Sequence, residues 1–341
     1  MNRPLTAAAL ALTSATLFAA CGTTGADSDD KPKGVESASC ASDTTRTATG
    51  PVEVTDAFGK ALELDAPATR VVALEYREIE NLLALCVTPV GIADPKGYAT
   101  WDGAVPVPAG VKDVGDRITG NPEQIAAADP DLIIVSTADP QDPTLAGLKK
   151  LGVPLLAINP ADGKDPIKNM KDTFTTLAEA TGRGEYADKV LDDFDARVVA
   201  AKADLAEVKN RKFFYSDQYV YGGALNIRAF GQGSLVGELG EAIGLENAWK
   251  TGNAMDPVWG LETVDVEGVT NVDDATFLWT GTNDPSPDTN AADELAKNPI
   301  WNKLPAIKEG RAHPFPQHIW TFGGPLAAEQ IIDAYVDVLA K

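Results

Sequence analysis

Histidine, cysteine and serine are the side chains that most often carry metal binding or catalysis, and this chain offers few arrangements of them. Its two histidines, His313 and His318, stand close together near the end of the chain. A site for zinc or manganese takes several histidines or carboxylates that converge on the ion, so this pair argues against capture of a bare metal. We expect no metal ligand from the protein itself, and at most a contact from His318 to a ligand beside Trp320.

Hydrolytic chemistry lacks a motif as well. The nucleophile pattern Gly-x-Ser-x-Gly does not occur, and the second half offers no serine and histidine that we can defend as a catalytic pair. Aspartate and glutamate are so abundant that close acidic pairs arise by chance and do not indicate a glycosidase. We therefore expect a protein that is not an enzyme, with an exported hydrolase as the alternative from another function class.

A glycine-rich stretch at residues 231–237 reads Gly-Gln-Gly-Ser-Leu-Val-Gly. It misses the dinucleotide-binding fingerprint by one residue, and no clear strand precedes it. We interpret it as a tight turn that leads into a helix, and we expect no cofactor.

Composition narrows the class of protein. The 341 residues are enough for two lobes of ordinary size, and a hydrophobic content of 44% is typical of a globular protein. The formal net charge of −21 repels nucleic-acid phosphates and anionic lipid headgroups. The acidity therefore argues against a nucleic-acid partner, and solubility is its simplest explanation.

The N-terminus has the pattern of an export signal. Residues 1–20 carry Arg3 and then an alanine- and leucine-rich run that is too short and too weakly apolar to span a membrane. The segment 17–21 resembles the lipobox of bacterial lipoproteins, in which Cys21 would become the lipidated first residue; an ordinary signal is the other interpretation. Large apolar side chains are almost missing up to residue 50, so we predict a lipidated cysteine and flexible tether over 21–50.

Two further cysteines, Cys40 in the predicted tether and Cys86 in an apolar helix, have two interpretations. Export makes a disulfide between them chemically possible, but a sequence gives no distance between the two residues. The alternative is a small buried thiol at Cys86 and an idle one at Cys40. Both interpretations stay open at this point.

Residues 165–209 separate two similar halves. Asp165 and Pro166 are a good helix start, and apolar residues follow at helical spacing up to a glycine stop at 182–184. A second apolar face runs from Ala187 to Val208, which would span roughly 35 Å as a helix. We predict a helical linker that joins the two lobes.

The first half, residues 51–164, alternates short apolar runs with helical patterns. A hairpin over 52–64 is followed by strands at 70–74, 90–93, 113–116, 131–136 and 153–158, with helices between them and a loop that carries Tyr98 and Trp101. Strand, helix and strand at these lengths form a parallel unit. Ligands of such sheets bind at the carboxyl ends of the strands.

The second half, residues 210–341, repeats parts of this pattern. We predict a strand at 212–215, a loop at 219–223, a helix at 234–243 and a strand at 277–279. Glu123 and Glu267 each precede an apolar strand by a similar distance. Three helix ends also share one form, and a glycine at such an end supplies a left-handed residue: Leu85-Cys86-Val87, Leu151-Gly152-Val153 and Ile243-Gly244-Leu245.

These motifs resemble the substrate-binding lipoproteins of ABC importers that carry iron-siderophore complexes. This group belongs to class III of the periplasmic binding proteins and includes vitamin B12 and haem binders. The resemblance runs from about residue 52 to the end and rests on segments 70–74, 121–125 with 129–134, 301–310 and 323–326. It implies an α/β fold of two three-layer α/β/α lobes, a rigid helical linker and a ligand cleft between the lobes.

The resemblance also implies which residues line that cleft. A ferric siderophore is bulky and partly apolar, with negative oxygens around the metal, so aromatic faces and arginine forks suit it. A packed aromatic or a solvated arginine is the ordinary alternative for each. The ligand-binding candidates are Tyr76, Arg77, Tyr98, Trp101, Arg117, Tyr219, Tyr221, Arg228, Trp259 and Trp320.

Partners follow from the same resemblance. Family members dock an acidic residue of each lobe into the permease, and Glu123 and Glu267 fall at the matching positions. The alternative is that both acids complement a helix dipole. We expect a monomer at the outer face of the cytoplasmic membrane, attached by its lipid anchor, that serves an ABC permease and its ATPase.

The ligand is expected to be an iron(III)-siderophore complex whose metal is held by the siderophore. Hydroxamate complexes are favoured because they are neutral, and only two or three arginines are candidates for the cleft. Haem or cobalamin are the alternatives within the same transporter class, and haem would need a tyrosine or histidine as axial ligand.

Overall fold

A computed structural model describes residues 40–250, 255–272, 274–282, 284, 286 and 289–340. The predicted signal peptide, the lipidation at Cys21 and most of the tether lie outside these residues. None of the helices in the described ranges has the length and apolarity needed to cross a membrane.

An antiparallel hairpin opens the folded part, as predicted. Its strands are β1 (Val52–Thr55) and β2 (Ala61–Leu64), and Val54 pairs with Leu62. Val54 and Leu64 bury their side chains in the first hydrophobic core.

Five parallel strands form the first sheet, in the order β5-β4-β3-β6-β7. Four of them lie within the predicted ranges, whereas β5 overlaps the predicted strand at 113–116 only at Asp113. The runs of β3, β4, β6 and β7 are mostly apolar because helices cover both faces, whereas the edge strand β5 is polar and exposed. The strands are β3 (Val71–Ala73), β4 (Gly91–Ile92), β5 (Lys112–Asp113), β6 (Leu132–Ser136) and β7 (Leu155–Ile158).

The two faces of this sheet build separate cores, which makes the first lobe a three-layer unit. Val71 and Ile134 face the core that contains α1, whereas Val72 and Ile133 face α3 and α4. The alternation follows from the twofold period of strand side chains. The helices that connect these strands are α1 (Tyr76–Ala84), α2 (Pro95–Trp101), α3 (Pro122–Ala127) and α4 (Pro143–Lys149).

The helix α2 corrects one prediction, because the sequence analysis expects a loop at Tyr98 and Trp101. Asp94 starts the helix by accepting a hydrogen bond from the backbone N–H of Gly97, and Pro95 occupies the first turn. Asp94 itself has a positive φ of 44°. Seven residues around a glycine give too short a pattern for helical periodicity to show.

The predicted linker consists of α5 (Pro166–Ala180) and α6 (Gly184–Asp204), which meet at Gly182 with φ +71°. At 21 residues, α6 is ~31 Å long and ends before the predicted Val208. Both helices pack against both lobes: Phe174 lies in the first core, Met170 and Phe194 in the second.

A third helix, α10 (Pro325–Leu339), also joins the two lobes. The sequence predicts this role only for residues 165–209. Leu326 and Ala327 of α10 lie in the first core, and Ile331 lies in the second. The carboxylate of Glu80 accepts hydrogen bonds from the backbone N–H groups of Gly324 (2.7 Å) and Ala327 (2.9 Å). Burial raises the pKa of Glu80 to about 7, although these bonds favour the charged form.

The second sheet is mixed, so the two lobes share their layers but not their topology. Its order is β11-β9-β8-β12-β13, with β10 beside the start of β8. Strands β8, β12, β13 and β10 are parallel, whereas β8, β9 and β11 pair antiparallel. The strands are β8 (Lys212–Tyr221), β9 (Ala224–Phe230), β10 (Glu246–Asn247), β11 (Leu261–Val264), β12 (Thr276–Gly281) and β13 (Ala312–Gln317).

Helices also cover both faces of the second sheet. Phe213 and Leu278 face the core that contains α10, whereas Phe214 and Phe277 face the core around Trp301. The predicted turn at 231–237 is present, since Ser234 caps the following helix. The remaining helices are α7 (Leu235–Ala242), α8 (Ala292–Ala296) and α9 (Pro305–Lys308).

The stretch at 219–223 was predicted as a loop and is the end of a long hairpin. Strand β8 continues to Tyr221, and Gly222 (φ +58°) and Gly223 (φ +81°) form the turn into β9. Two consecutive positive φ values suit glycine and match the twist of a two-residue hairpin turn. Consecutive glycines are typical of a loop, so the sequence does not predict β9.

Residues 40–48 are attached to the folded body, although the sequence analysis assigns them to the tether. Cys40 and Cys86 form a disulfide, with Cα atoms 5.6 Å apart. Asp43 pairs with Arg183, and the backbone N–H of Ala48 donates to Gly182. Cys86 at the end of its helix has φ 63°, the same left-handed geometry as Gly152 and Gly244. The predicted similarity of these three helix ends is therefore present.

Candidate functional site

A cavity of about 800 Å³ lies between the two sheets. Residues that follow β3 and β6 at their carboxyl ends reach it from the first sheet, at the place where the strand order reverses. The end of β8 and the segment after β13 reach it from the second sheet. Its size is within the range of small-molecule sites in proteins.

Eight of the ten predicted ligand-binding residues line this cavity: Tyr76, Arg77, Trp101, Arg117, Tyr219, Arg228, Trp259 and Trp320. Tyr98 and Tyr221 do not. Tyr98 is only 1% exposed, and its hydroxyl donates to the backbone carbonyl of Val105 (2.8 Å). Tyr221 is 79% exposed at the end of the β8–β9 hairpin. The first is a core residue of α2, and the second lies beyond the cavity.

Arg77 lines the cavity, but its guanidinium donates its hydrogen bonds to other groups of the protein. Nη2 donates to Glu78 (2.9 Å) and to the carbonyl of Asn159 (2.9 Å), and Nη1 donates to the carbonyl of Pro160 (3.0 Å). The side chain is almost fully buried. Arg77 therefore fixes the loop after β7 and is a poor candidate for a ligand donor.

Aromatic rings form a continuous wall on one side of the cavity. Trp320 packs against Tyr76 (5.3 Å between ring centroids), Trp101 (6.4 Å) and Phe322 (5.3 Å). Phe322 in turn contacts Trp259 at 5.3 Å. The hydroxyl of Tyr76 donates to Asp94 (2.5 Å), and burial followed by this bond raises its pKa. Phe322 is the one ring of this wall that the sequence analysis missed.

Trp259 is held by close backbone contacts between three glycine-containing loops. A Cβ on Gly260 would lie 2.2 Å from the backbone of Gly233, and a Cβ on Gly233 would lie 2.2 Å from the carbonyl oxygen of Gly163. Only glycine permits such an approach. Gly163 precedes the linker helices, so the contact also connects the first lobe to the second.

Arg117 contacts the aromatic wall and carries a carboxylate partner. Its guanidinium lies 4.9 Å from the centroid of Tyr76 and 5.4 Å from that of Trp320. Nη1 donates to both oxygens of Glu75, at 2.9 and 2.7 Å. Burial raises the pKa of Glu75, although the charge of Arg117 opposes the shift. Glu75 was not predicted as a site residue.

Arg228 forms the equivalent pair in the second lobe. Nε donates to Asp217 at 2.8 Å and Nη2 donates to its other oxygen, so the contact is bidentate. Burial alone would lower the pKa of Arg228, but the hydrogen bonds and charge of Asp217 raise it. The guanidinium also lies 5.7 Å from the ring of Tyr219. A signal for Asp217 exists in the sequence, because Asp217 and Arg228 are equally distant from the Gly222-Gly223 turn and therefore pair across it.

Formal charges in the cavity lining cancel. Besides the three arginines, three carboxylates reach it, from Glu75, Asp139 and Asp217. The rest of the polar lining is uncharged hydroxyls and amides: Ser136, Thr137, Gln218, Thr280, Thr282, Thr289, Asn290 and Thr321. The cavity thus combines an aromatic wall with many neutral hydrogen-bonding groups.

A metal site is not found among the described residues, in which no three histidine, cysteine or acidic side chains converge. His318 does not line the cavity, and its Nδ1 lies 3.0 Å from the carbonyl oxygen of Thr100. The structure therefore does not place His318 among the cavity residues, and its contact with a ligand beside Trp320 stays a prediction.

The two acids predicted to dock with a permease lie outside the cavity. Glu123 is exposed in the first turn of α3, whose N-cap is Asn121. Glu267 is exposed directly before the 3₁₀ turn Gly268–Asn271. Both are available at the surface, and docking stays a prediction.

Two lobes with an aromatic cavity between their sheets match the architecture of solute-binding proteins, a class that binds its ligand without chemical change. The chain belongs to the periplasmic binding protein family, whose sequence profile matches residues 71–314. The family consists of substrate-binding proteins, which confirms that the protein is not an enzyme.

Relatives of known name support the same placement. The iron(3+)-hydroxamate-binding protein FhuD of Escherichia coli is 27% identical over 263 residues, which cover 77% of this chain and 84% of FhuD. A putative ABC transporter substrate-binding lipoprotein, YhfQ of Bacillus subtilis, is 30% identical over 282 residues, with 79% and 82% covered.

Solved structures confirm the fold. FhuD of Vibrio cholerae, solved with Fe³⁺-Desferal, aligns with a TM-score of 0.68 and 23% identity over 80% of this chain and 98% of its own. FeuA of Bacillus subtilis, a triscatecholate siderophore binder complexed with ferri-bacillibactin, aligns with a TM-score of 0.65 and 20% identity, with 84% and 97% covered. The predicted class of two α/β/α lobes with a cleft between them is confirmed.

Proposed function

We propose that this protein captures a ferric siderophore in the cavity and delivers it to an ABC permease for iron uptake. The observation that carries the proposal is the 800 Å³ cavity with its aromatic wall and two arginine–carboxylate pairs. A wrapped ferric complex offers apolar surface to the rings and oxygens to the neutral donors. The names of the relatives support this ligand class.

A neutral hydroxamate complex fits the cavity better than a triply negative catecholate complex. The two arginines with free donor groups, Arg117 and Arg228, are each paired with a carboxylate, and Asp139 adds a further negative charge. An anion with three charges would therefore meet no net positive field. Hydroxyl and amide groups are sufficient partners for the oxygens of a neutral complex.

Delivery places the protein outside the cell in this proposal. Cys21 would carry the lipid that holds a monomer at the outer face of the cytoplasmic membrane, and the permease with its ATPase would take up the ligand. Glu123 and Glu267 would dock with the permease. Their exposure and their distance from the ligand cavity support this role.

Fluorescence quenching tests the ligand class directly, because Trp101, Trp259 and Trp320 line the cavity. A ferric trihydroxamate such as ferrichrome should quench the emission with saturation at one ligand per chain. Titration with haem should give no Soret band of a ligated iron. Quenching by haem with such a band, and none by any ferric siderophore, would overturn the proposal in favour of haem.

A further inference from the structure

Arg228 is the cavity arginine whose charge is most open to a ligand. Its side chain is 38% exposed, whereas that of Asp217 is only 14% exposed. The two bonds to Asp217 use Nε and Nη2. Nη1 makes no hydrogen bond to any residue in the described ranges. Nη1 of Arg228 can therefore donate to a ligand in the cavity, while the more buried carboxylate of Asp217 offsets the charge of the guanidinium.

Asp217 lies just beyond the part of β8 that pairs with β12, and Arg228 lies near the end of the part of β9 that pairs with β11. Strand β12 pairs with β8 only as far as Ser216, and β11 pairs with β9 only from Ile227 to Phe230. Asp217 faces Arg228 across the hairpin itself. Its carboxylate has no hydrogen-bond partner other than Arg228 among the described residues, so a neutral amide there removes charge but no strand hydrogen bond.

We propose that Asp217 determines the charge selectivity of the cavity by cancelling Arg228, which excludes anionic ferric complexes. This inference rests on the proposed function and names the residue that decides between ligand classes. With the carboxylate in place, its negative charge beside the guanidinium opposes the attraction that Arg228 exerts on an anionic ligand. Without it, the guanidinium acts as a full positive charge in a half-buried site.

Glu75 pairs with Arg117 as Asp217 pairs with Arg228, but Glu75 also caps a helix. Its carboxylate accepts a hydrogen bond from the backbone N–H of Tyr76 (3.0 Å) and caps α1. A substitution of Glu75 would therefore disturb the helix that carries the aromatic wall. Among the described residues the Asp217 side chain caps no helix, so charge selectivity can be tested at Asp217.

The experiment compares two ligands of different charge on the full mature chain. Ferrichrome is a neutral trihydroxamate, and ferric bacillibactin is a tris-catecholate of charge −3. Asp217→Asn should raise the affinity for ferric bacillibactin, relative to the affinity for ferrichrome, at least about tenfold above the wild-type ratio. The gain should decline as salt concentration rises.

Two further variants serve as controls. Asp188→Asn makes the same change of net charge at an exposed position of α6 outside the cavity and should leave both affinities unchanged. Asp217→Asn combined with Arg228→Gln restores the neutral pair and should return the ratio of the two affinities to the wild-type value. Thermal unfolding of each variant shows whether it is folded.

The outcomes separate this inference from the proposed function. If folded Asp217→Asn still binds ferrichrome and the ratio of the two affinities stays at the wild-type value, the charge role of Asp217 is overturned and the proposed function stands. A gain of equal size in Asp188→Asn overturns it as well, because net charge alone then explains the effect. If the wild type binds neither complex, the proposed function itself fails.

Discussion

Charges in the cavity are set by partners that are distant in sequence or lie across a hairpin. Arg117 meets Glu75 from a loop 42 residues later, and Arg228 meets Asp217 across the β8–β9 turn. Residue type and position near a strand end were enough to nominate both arginines. The pair of Asp217 and Arg228 could be inferred from their equal distance from the hairpin turn, whereas the pair of Glu75 and Arg117 depends on how two distant segments fold together.

Trp320 should contribute more to ligand affinity than any other ring, because it contacts Tyr76, Trp101 and Phe322 and carries the guanidinium of Arg117. Trp320→Ala should weaken binding of a ferric trihydroxamate by about 2 kcal/mol, roughly thirtyfold in Kd. Isothermal titration calorimetry measures the change.

The exposed Tyr221 offers a matched control for this loss of an aromatic ring. Tyr221→Ala should keep wild-type affinity, since its side chain lies outside the cavity. Equal losses in the two variants would contradict the assignment of the aromatic wall as the binding surface.

Glu329 should make stability depend on pH. Burial, followed by the charge of Asp333, raises its pKa to about 7 in the folded state, above the ordinary value of 4.5. The folded state then holds a proton that the unfolded state has released, so its contribution to stability is lost as pH rises from about 4.5 to about 7. Glu329→Gln should reduce this decline, measured as the difference in unfolding free energy between pH 5 and pH 8. An unchanged difference would refute the assignment.

At the scale of elements, strong local patterns were predicted well and short ones were not. The linker helices and the buried strand β6 carry long periodic or continuous apolar runs, and both were placed correctly. The helix α2 has only seven residues around a glycine, so its periodicity is too short to detect. Strand β9 follows a turn of two glycines, and such a pair is typical of a loop. Tyr98 was misassigned for the same reason, because its burial depends on α2.

The loop contact at Gly260 should be sensitive to a single methyl group. Gly260 has φ +63°, and a Cβ would lie 2.2 Å from the backbone of Gly233. Gly260→Ala should therefore lower the unfolding free energy by about 3 kcal/mol or more and weaken ligand binding through Trp259.

A matched control separates crowding from backbone strain. Gly110 has φ +93° with open space around it, so Gly110→Ala should cost only the left-handed strain, about 1 to 2 kcal/mol, and spare ligand affinity. Urea denaturation measures both variants. Equal costs would show that the close approach of the loops does not matter.

For the whole molecule, ligand capture and delivery should be separable. Replacing both Glu123 and Glu267 by glutamine should leave ligand affinity intact, because both side chains lie outside the cavity. The double variant should abolish uptake of the ferric complex in a cell that depends on this transporter. Normal uptake would contradict docking through these acids and favour their alternative role as helix-dipole complements.

The two lobes are joined by more than the linker that the sequence suggested. Helices α5, α6 and α10 each bury side chains in both lobes, and the backbone contact between Gly163 and Gly233 adds a connection beside the cavity. The part played by α10 was not predictable, because its apolar pattern does not say which core receives it. The carboxylate of Glu80 in α1 accepts hydrogen bonds from the backbone N–H groups of Gly324 and Ala327, which fixes the start of α10.

The disulfide between Cys40 and Cys86 has a practical consequence for anyone who prepares this protein. The bond forms in oxidising compartments and is rare in a reducing cytosol. Recombinant chain made inside the cytosol would carry free thiols at Cys40 and Cys86, and residues 40–48 would then depend on contacts such as those of Asp43 and Ala48. Expression through the export pathway, or oxidation during purification, is therefore the preparation that matches the structure.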